Sequence, residues 1–360
     1  MSLGALLIDT RRTDVPGSGD PDSLSSRGRA GVFMARIVLG LAVPHSGMLG
    51  RTPEDLLKDG ERDRKKDQLW FRNKSWTFDE LAAHRAHEGF EKYYTLEERT
   101  ARLGRCAQAL ETLRRVYREH QPDVVVILGK DQKEIFLDVS PSIAMFMGDT
   151  IHNGPPQRPV YAPPQSVTYP GHPELAQHLI QAFQQDGFDM TEVLQWPLNT
   201  WMSPPTLVVP HAYGFVYHQI MQDRVPPNVP IIMNTFYPPN QPSMSRSIQF
   251  GKSLFKAIQS WDSNKTVAII ASGGLSHFVC DEQLDATFLK YFRAFDFDGL
   301  EKIDNRSYQS GTSEVKLYVP VMVAAAQLKF DMNLVDYVPV YRTEAGTGEG
   351  FGFMYWSAPK

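Results

Sequence analysis

The sequence predicts an α/β fold, layered around one central sheet. Three observations carry this. Short apolar runs rich in Val and Ile alternate with amphipathic stretches of helical period. The chain of 360 residues is 42% hydrophobic and 22% charged, an ordinary globular balance with enough length to bury a large core. Its two cysteines, Cys106 and Cys280, form no CxxC pair, so no disulfide framework or Cys-based metal site is expected and a reducing compartment is. The formal net charge of −4 gives no electrostatic case for nucleic acid or an anionic membrane as partner. No apolar run approaches the roughly 20 residues of a membrane span, and the first residues lack the pattern of a signal peptide. A cytoplasmic enzyme or binding protein is the expectation.

The elements follow in order. Residues 1–33, rich in Gly, Ser, Pro and charge, read as a disordered N-terminal tail. Met34, which opens MARIVLGLAV, is a candidate initiator. A domain over 34–360 follows. Its expected strands are Ile37–Val43, Val124–Leu128, Ile143–Met147, Pro230–Phe236, Val267–Ala271 and Val335–Val340, each short, β-branched and bounded by turn residues. Expected helices are Leu96–Glu119, Pro173–Gln185, Ala212–Met221, Ser243–Ser260, Asp281–Ala294 and Ser313–Leu328. In the longest, Leu103, Ala107, Leu110, Leu113 and Val116 mark one face by their 3–4 spacing. Residues 50–95, charged and aromatic, read as a partly helical, lid-like insertion. The Pro-rich stretch 154–170 reads as a surface loop.

Chemistry concentrates where strands end, the place where open α/β sheets put their sites. His45 follows the first strand in AVPHSGM. His211 opens a helix in VVPHAYGF. His277 follows a buried strand in IIASGGLSHF. A histidine alone is more often structural than catalytic, but three in equivalent positions weaken that reading. VVVILGKDQKEIF sets Asp131, Gln132 and Glu134 at another strand end. That is a solvated turn or a metal or substrate site. Glu314, in SGTSEVK, falls at a helix start, where Ser310 or Thr312 is the expected cap and the dipole alone favours a carboxylate. Two histidines and one carboxylate suit Fe(II) with positions left open. GGLSH is not the GxSxG elbow of hydrolases, and EAGTGEGFGF fits a nucleotide-binding GxGxxG poorly. Trp201, Pro204, Phe236, Tyr237 and Pro238 are candidate walls for an aromatic ring, and Arg342 a candidate reader of a substrate carboxylate.

In this order, AVPHSG, VVVILGKDQ, YPGHPEL, PHAYGF and ASGGLSHF resemble the class III, LigB-type extradiol ring-cleavage dioxygenases over about residues 34–358. FRNKSWTFDEL, NTFYPPNQP, SGTSEVK and YRTEAGTGEGFG are similar to the 3-O-methylgallate 3,4-dioxygenase subgroup. The resemblance implies a LigB-like single domain with a central mixed sheet flanked by helices. It implies a non-haem Fe(II) cofactor, a small aromatic diol and O2 as partners, and a role in catabolism of lignin-derived aromatics. It implies His45 as an iron ligand, His277 as the active-site base and His211 as a histidine contacting substrate or oxygen. At the second ligand position the protocatechuate 4,5-dioxygenases carry histidine after Asp, where this chain, similar here to 3-O-methylgallate-type sequences, has Asp131-Gln132. At the third, ungapped alignment puts Lys316 where the protocatechuate enzymes have glutamate, and Glu314 lies two residues earlier. The resulting metal set is His45, Gln132 and Glu314, with Asp131 as the alternative to Gln132. The competing reading is an iron-free homologue acting as a binding or scaffold protein, favoured by Gln132 and Lys316. A homodimer is the base-rate expectation for oligomeric state.

Overall fold

Nine strands pair into one mixed sheet among the described residues of the computed structural model, which are 34–153, 159–202 and 206–359. They are β1 (Arg36–Val43), β2 (Val124–Gly129), β3 (Ile143–Phe146), β4 (Thr191–Val193), β5 (Asn228–Met233), β6 (Thr266–Ser272), β7 (His277–Val279), β8 (Asp331–Tyr341) and β9 (Thr347–Ser357). Their spatial order is β7-β9-β1-β6-β2-β5-β3-β4, with β8 on the other side of β9. At the centre, β1, β6, β2 and β5 run parallel. Antiparallel β9 joins β1, β7 and β8 at one side.

The central strands are buried on both faces, so they read as continuous apolar runs. In β2, Val124, Val126 and Leu128 face one core and Val125 and Ile127 the other. The first core is closed by the helices Pro173–Gln185, Met244–Gln259, Glu282–Ala294 and Val315–Gln327. The second is closed by Leu96–His120 and His211–Phe215.

All six expected strands and six expected helices form, with shifts at their ends. In helix Leu96–His120 the buried face is Cys106, Ala109, Leu110, Leu113, Val116 and Tyr117. Ala107, expected on that face, is exposed. The expected helix Ala212–Met221 is one α-turn, His211–Phe215, continued by a π-turn over Val216–Ile220. The stretch 154–170 is not all loop, because Val167–Pro170 pairs with Thr150–Asn153. The largest departure is β9, an eleven-residue strand where glycine spacing had masked a period of two.

The insertion folds as helix Asp55–Asp63, hairpin Leu69–Phe71/Lys74–Trp76 and helix Phe78–Arg85. The last starts in a capping box made by Thr77 and Glu80. Leu69, Phe71, Phe78 and Leu81 pack with Val279 of β7 and Ala345. The buried Arg85 guanidinium donates to the carbonyls of Cys280 and Ala345 and lies over the rings of Phe71 and Phe90. The expected tail, 1–33, lies outside the described residues. Among those that are described, no helix is long and apolar enough to cross a membrane.

Candidate active site

Because β1, β2 and β6 are parallel, their carboxyl ends meet at one edge of the sheet. There they open onto a cavity of about 350 Å³. His45 leaves β1, Lys130 and Gln132 leave β2, and His277 begins β7 just after β6. His211, Glu134, Glu314 and Glu349 join the polar lining with Ser46, Asn153 and Asn199, and Tyr161, Leu207, Val209 and Phe278 are among the other walls. The histidines and glutamate singled out by sequence therefore converge, and Gln132 lines the same space.

Glu314 is the centre of the arrangement. It is 1% exposed, at the junction of a 3₁₀ turn (Ser310–Glu314) and helix Val315–Gln327. It caps nothing in its own helix. Its Oε2 accepts the Gly274 N–H at 2.8 Å and lies 3.4 Å from His45 Nε2. Its Oε1 takes the Lys130 ammonium at 2.8 Å and lies 3.4 Å from His277 Nε2. Burial alone would raise this carboxyl, but the Lys130 ammonium, the largest opposing influence, holds it well below the usual range. The helix dipole is thus not what explains a carboxylate here.

The hydrogen-bond network fixes the ring tautomers. The Ser272 hydroxyl donates to the Ala212 carbonyl at 2.6 Å. His45 Nδ1, 3.2 Å from that hydroxyl oxygen, must then be the donor, which leaves Nε2 with its lone pair toward Glu314. Burial lowers the His45 pKa to about 4, so the ring is neutral near pH 7. His277 Nδ1 donates to the Leu275 carbonyl at 2.9 Å. Burial pulls this ring down as well, but Glu314 and Glu349 outweigh it and hold its pKa at about 9. His277 therefore carries a proton on Nε2 toward Glu314. Glu349 stands opposite His277 in the β7–β9 register, and burial raises its carboxyl.

His211 is held separately. Glu134 accepts its backbone N–H at 3.0 Å and its Nδ1–H at 2.9 Å, leaving Nε2 for the cavity. Burial would raise the Glu134 carboxyl, but His211 draws it below the ordinary value. The His211 ring meets His45 edge-on at 4.5 Å.

Other expectations resolve against the geometry. Asp131 is not a site group. Its carboxylate accepts the backbone N–H groups of Lys133, Glu134, Ile135 and Phe136 and so builds the turn that presents Gln132 and Glu134. Lys316 is buried beside the Tyr308 ring, away from the cavity lining. Arg342 is tied to Asp63 at 2.7 Å. Among the described residues, Lys130 is the cavity's only Lys or Arg. Trp201 is exposed, Phe236 and Tyr237 lie outside the lining, and Pro204 lies outside the described residues. Sequence reasoning missed Lys130 and Glu349 outright, and it named Glu134 with its turn without foreseeing its bond to His211. The signal for Lys130 was its place directly after the all-apolar run VVVIL.

The donor chemistry suits a divalent metal in part. His45 presents a neutral imidazole nitrogen and Glu314 a carboxylate oxygen 3.4 Å apart, two lone-pair donors with no proton between them. A cation is the natural third party. The remaining candidate donor, the Gln132 amide, is neutral and weaker. Among the described residues no cluster of three His, Cys, Asp or Glu side chains has metal-binding geometry.

Residues 93–352 match the family described as the catalytic LigB subunit of aromatic ring-opening dioxygenase. The chain belongs to this family. The match holds Gln132, His211, His277 and Glu314, while β1 with His45 and most of the insertion precede it. The LigB-family chain is also 32% identical over 114 residues to a gallate dioxygenase of Pseudomonas putida, a match spanning 31% of each protein. Among solved structures, an uncharacterized Escherichia coli K12 protein, JW3007, aligns over 68% of this chain and 91% of its own. Its TM-score is 0.44 and its identity 11%.

Proposed function

We propose that this LigB-family chain is a non-haem Fe(II)-dependent extradiol dioxygenase that opens the ring of a gallate-type substrate, foremost 3-O-methylgallate, with O2. The observation that carries the reading is the meeting of the neutral His45 nitrogen and the Glu314 carboxylate at the cavity. In this reading His45 and Glu314 hold the metal, with Gln132 the weak third donor. Bound there, Fe(II) would supply a centre at which a vicinal diol and O2 are brought together.

The chain's own residues manage position and protons. His211, oriented by Glu134, offers Nε2 to a substrate hydroxyl or to developing negative charge. His277 holds a proton at Nε2 between Glu314 and the cavity and is the acid–base group. Tyr161, Leu207, Val209 and Phe278 line the apolar side, where the ring excludes water. The insertion, docked on β7 next to His277, serves as a fused lid. The substrate class draws on the gallate dioxygenase likeness, and the proposal places the protein in cytoplasmic catabolism of lignin-derived aromatics.

Gln132 and the Lys130–Glu314 pair favour a second reading, an iron-free binding protein on the same fold. Iron analysis of anaerobically purified protein, followed by O2 uptake with a panel of gallates, separates the two. The dioxygenase reading expects iron uptake and substrate-dependent O2 consumption once Fe(II) is supplied, whether or not iron survives purification. Iron-free protein that still binds gallates, with no O2 uptake after Fe(II) is added, sinks it.

A further inference from the structure

Lys130 is a buried cation at the one carboxylate that a metal would need. The residue is 1% exposed and directly follows an all-buried strand. A buried ammonium is costly unless it is paired. Its partner is Glu314 Oε1, at 2.8 Å, and its other close neighbour is the Phe236 ring, 4.7 Å from the ammonium to the centroid. The same oxygen faces the His277 imidazole, and the other faces His45 and the Gly274 N–H. Both oxygens of Glu314 are thus engaged before any metal arrives. A divalent ion at the His45 side would sit against a single carboxylate already shared with an ammonium.

Resting on the metal-dependent reading above, we infer that Lys130 is a built-in competitor of the metal. Its ammonium holds Glu314 in the metal-free protein, leaves that carboxylate when metal binds, and thereby sets metal affinity low. Two cations on one buried carboxylate repel in a medium that screens poorly. Removing the ammonium removes both the competitor and the repulsion. The freed head would then face the cavity that it already lines. The idea uses Gln132 as well. With a weak third donor and a resident cation, the site would be loaded only at high metal concentration.

The test is equilibrium metal binding to the full chain, stripped with chelator, using Fe(II) under anaerobic conditions and Co(II) as a spectroscopic probe. Lys130→Met, close to Lys in length and uncharged, is expected to bind at least tenfold more tightly than wild type. Lys130→Arg is expected to stay near wild type, because the guanidinium keeps the charge. Lys290→Met, which removes an exposed lysine, controls for net charge and should not move the affinity. Circular dichroism reports whether each variant folds, and Lys130→Gln replaces Lys130→Met if the latter does not. Equal or weaker binding by the folded neutral variant overturns the competition while leaving the metal-dependent reading intact. Binding by the variant but not by wild type supports the competition in its strongest form. If neither protein takes up metal, the metal-dependent reading itself fails and the competition with it.

Discussion

At the residue scale, Glu314 and His277 stand 3.4 Å apart and have different assigned work, so their variants should separate. In the proposed reading Glu314→Ala removes the carboxylate that would hold the metal, and it leaves Lys130 buried without its partner. Metal and activity are expected to be lost together, with a stability cost of about 3–5 kcal/mol for the orphaned charge. In the same reading His277→Ala removes the proposed acid–base group and no metal ligand. Metal content by atomic absorption should stay at the wild-type level while ring cleavage falls by 100-fold or more, as is usual for a positioned acid or base. Metal loss in His277→Ala would make that histidine a ligand instead. His211→Phe is the third member of the series. Turnover is expected to drop by roughly 100-fold with a smaller change in KM, because its contact forms mainly in the transition state. An unchanged kcat would take His211 out of the site. These three positions, and His45 with them, were legible because each stands at a strand end or a helix start in a short turn sequence. Lys130 and Glu349 were not. A lysine after a strand reads as a solvated turn, and only the tertiary fold turns it inward onto Glu314. Glu349 hid in a glycine-rich run and reaches His277 through a pairing 72 residues away in the chain, from 277 to 349.

At the element scale, the apolar strands were readable because both faces of each are buried, which leaves a run of Val, Ile and Leu. The edge of the sheet was harder. In β9, glycines at 348, 350 and 352 alternate with Glu349, Phe351 and Phe353, so one face is bare and the period of two is disguised. The bare positions have a packing reason, as do two glycines beside His277. A Cβ on Gly311 would lie 2.0 Å from His277 Cδ2, and one on Gly274 would lie 2.8 Å from its Cε1 and Nδ1. The two backbones thus clamp the imidazole from both sides, and the 3₁₀ turn carrying Gly311 leads straight to Glu314. Gly311→Ala should displace the ring with little loss of fold. We expect a tenfold or larger fall in kcat with the far-ultraviolet dichroism unchanged. A variant with wild-type kcat would show that the turn shifts freely and that the clamp does not position His277.

At the scale of the whole molecule, the stability of the fold should carry the mark of a buried charge that the site does not use. Lys316 is 4% exposed in helix Val315–Gln327, and its neighbour is the face of Tyr308, 5.7 Å from the ammonium to the ring centroid, with no carboxylate paired to it among the described residues. Burial lowers its pKa from 10.5 to about 8. In the unfolded chain the amine keeps its ordinary value, so between pH 8 and 10.5 the unfolded state binds more protons than the folded one. Stability from this group therefore rises with pH across that window. Below pH 8 both states are protonated and the folded state bears the full cost, on the order of 3 kcal/mol for a difference of that size. Lys316→Met keeps the packing volume and removes the charge. Denaturant unfolding at pH 7 should find the variant more stable by a few kcal/mol, and the advantage should shrink steadily as pH rises from 8 toward 10.5. An advantage that stays constant with pH would mean that the gain comes from packing and not from the charge. A variant less stable than wild type at pH 7 would mean that the ammonium finds a partner that repays its burial. Either result would also bear on Lys130, the second buried lysine of the same core, whose ammonium has the Glu314 carboxylate that Lys316 lacks.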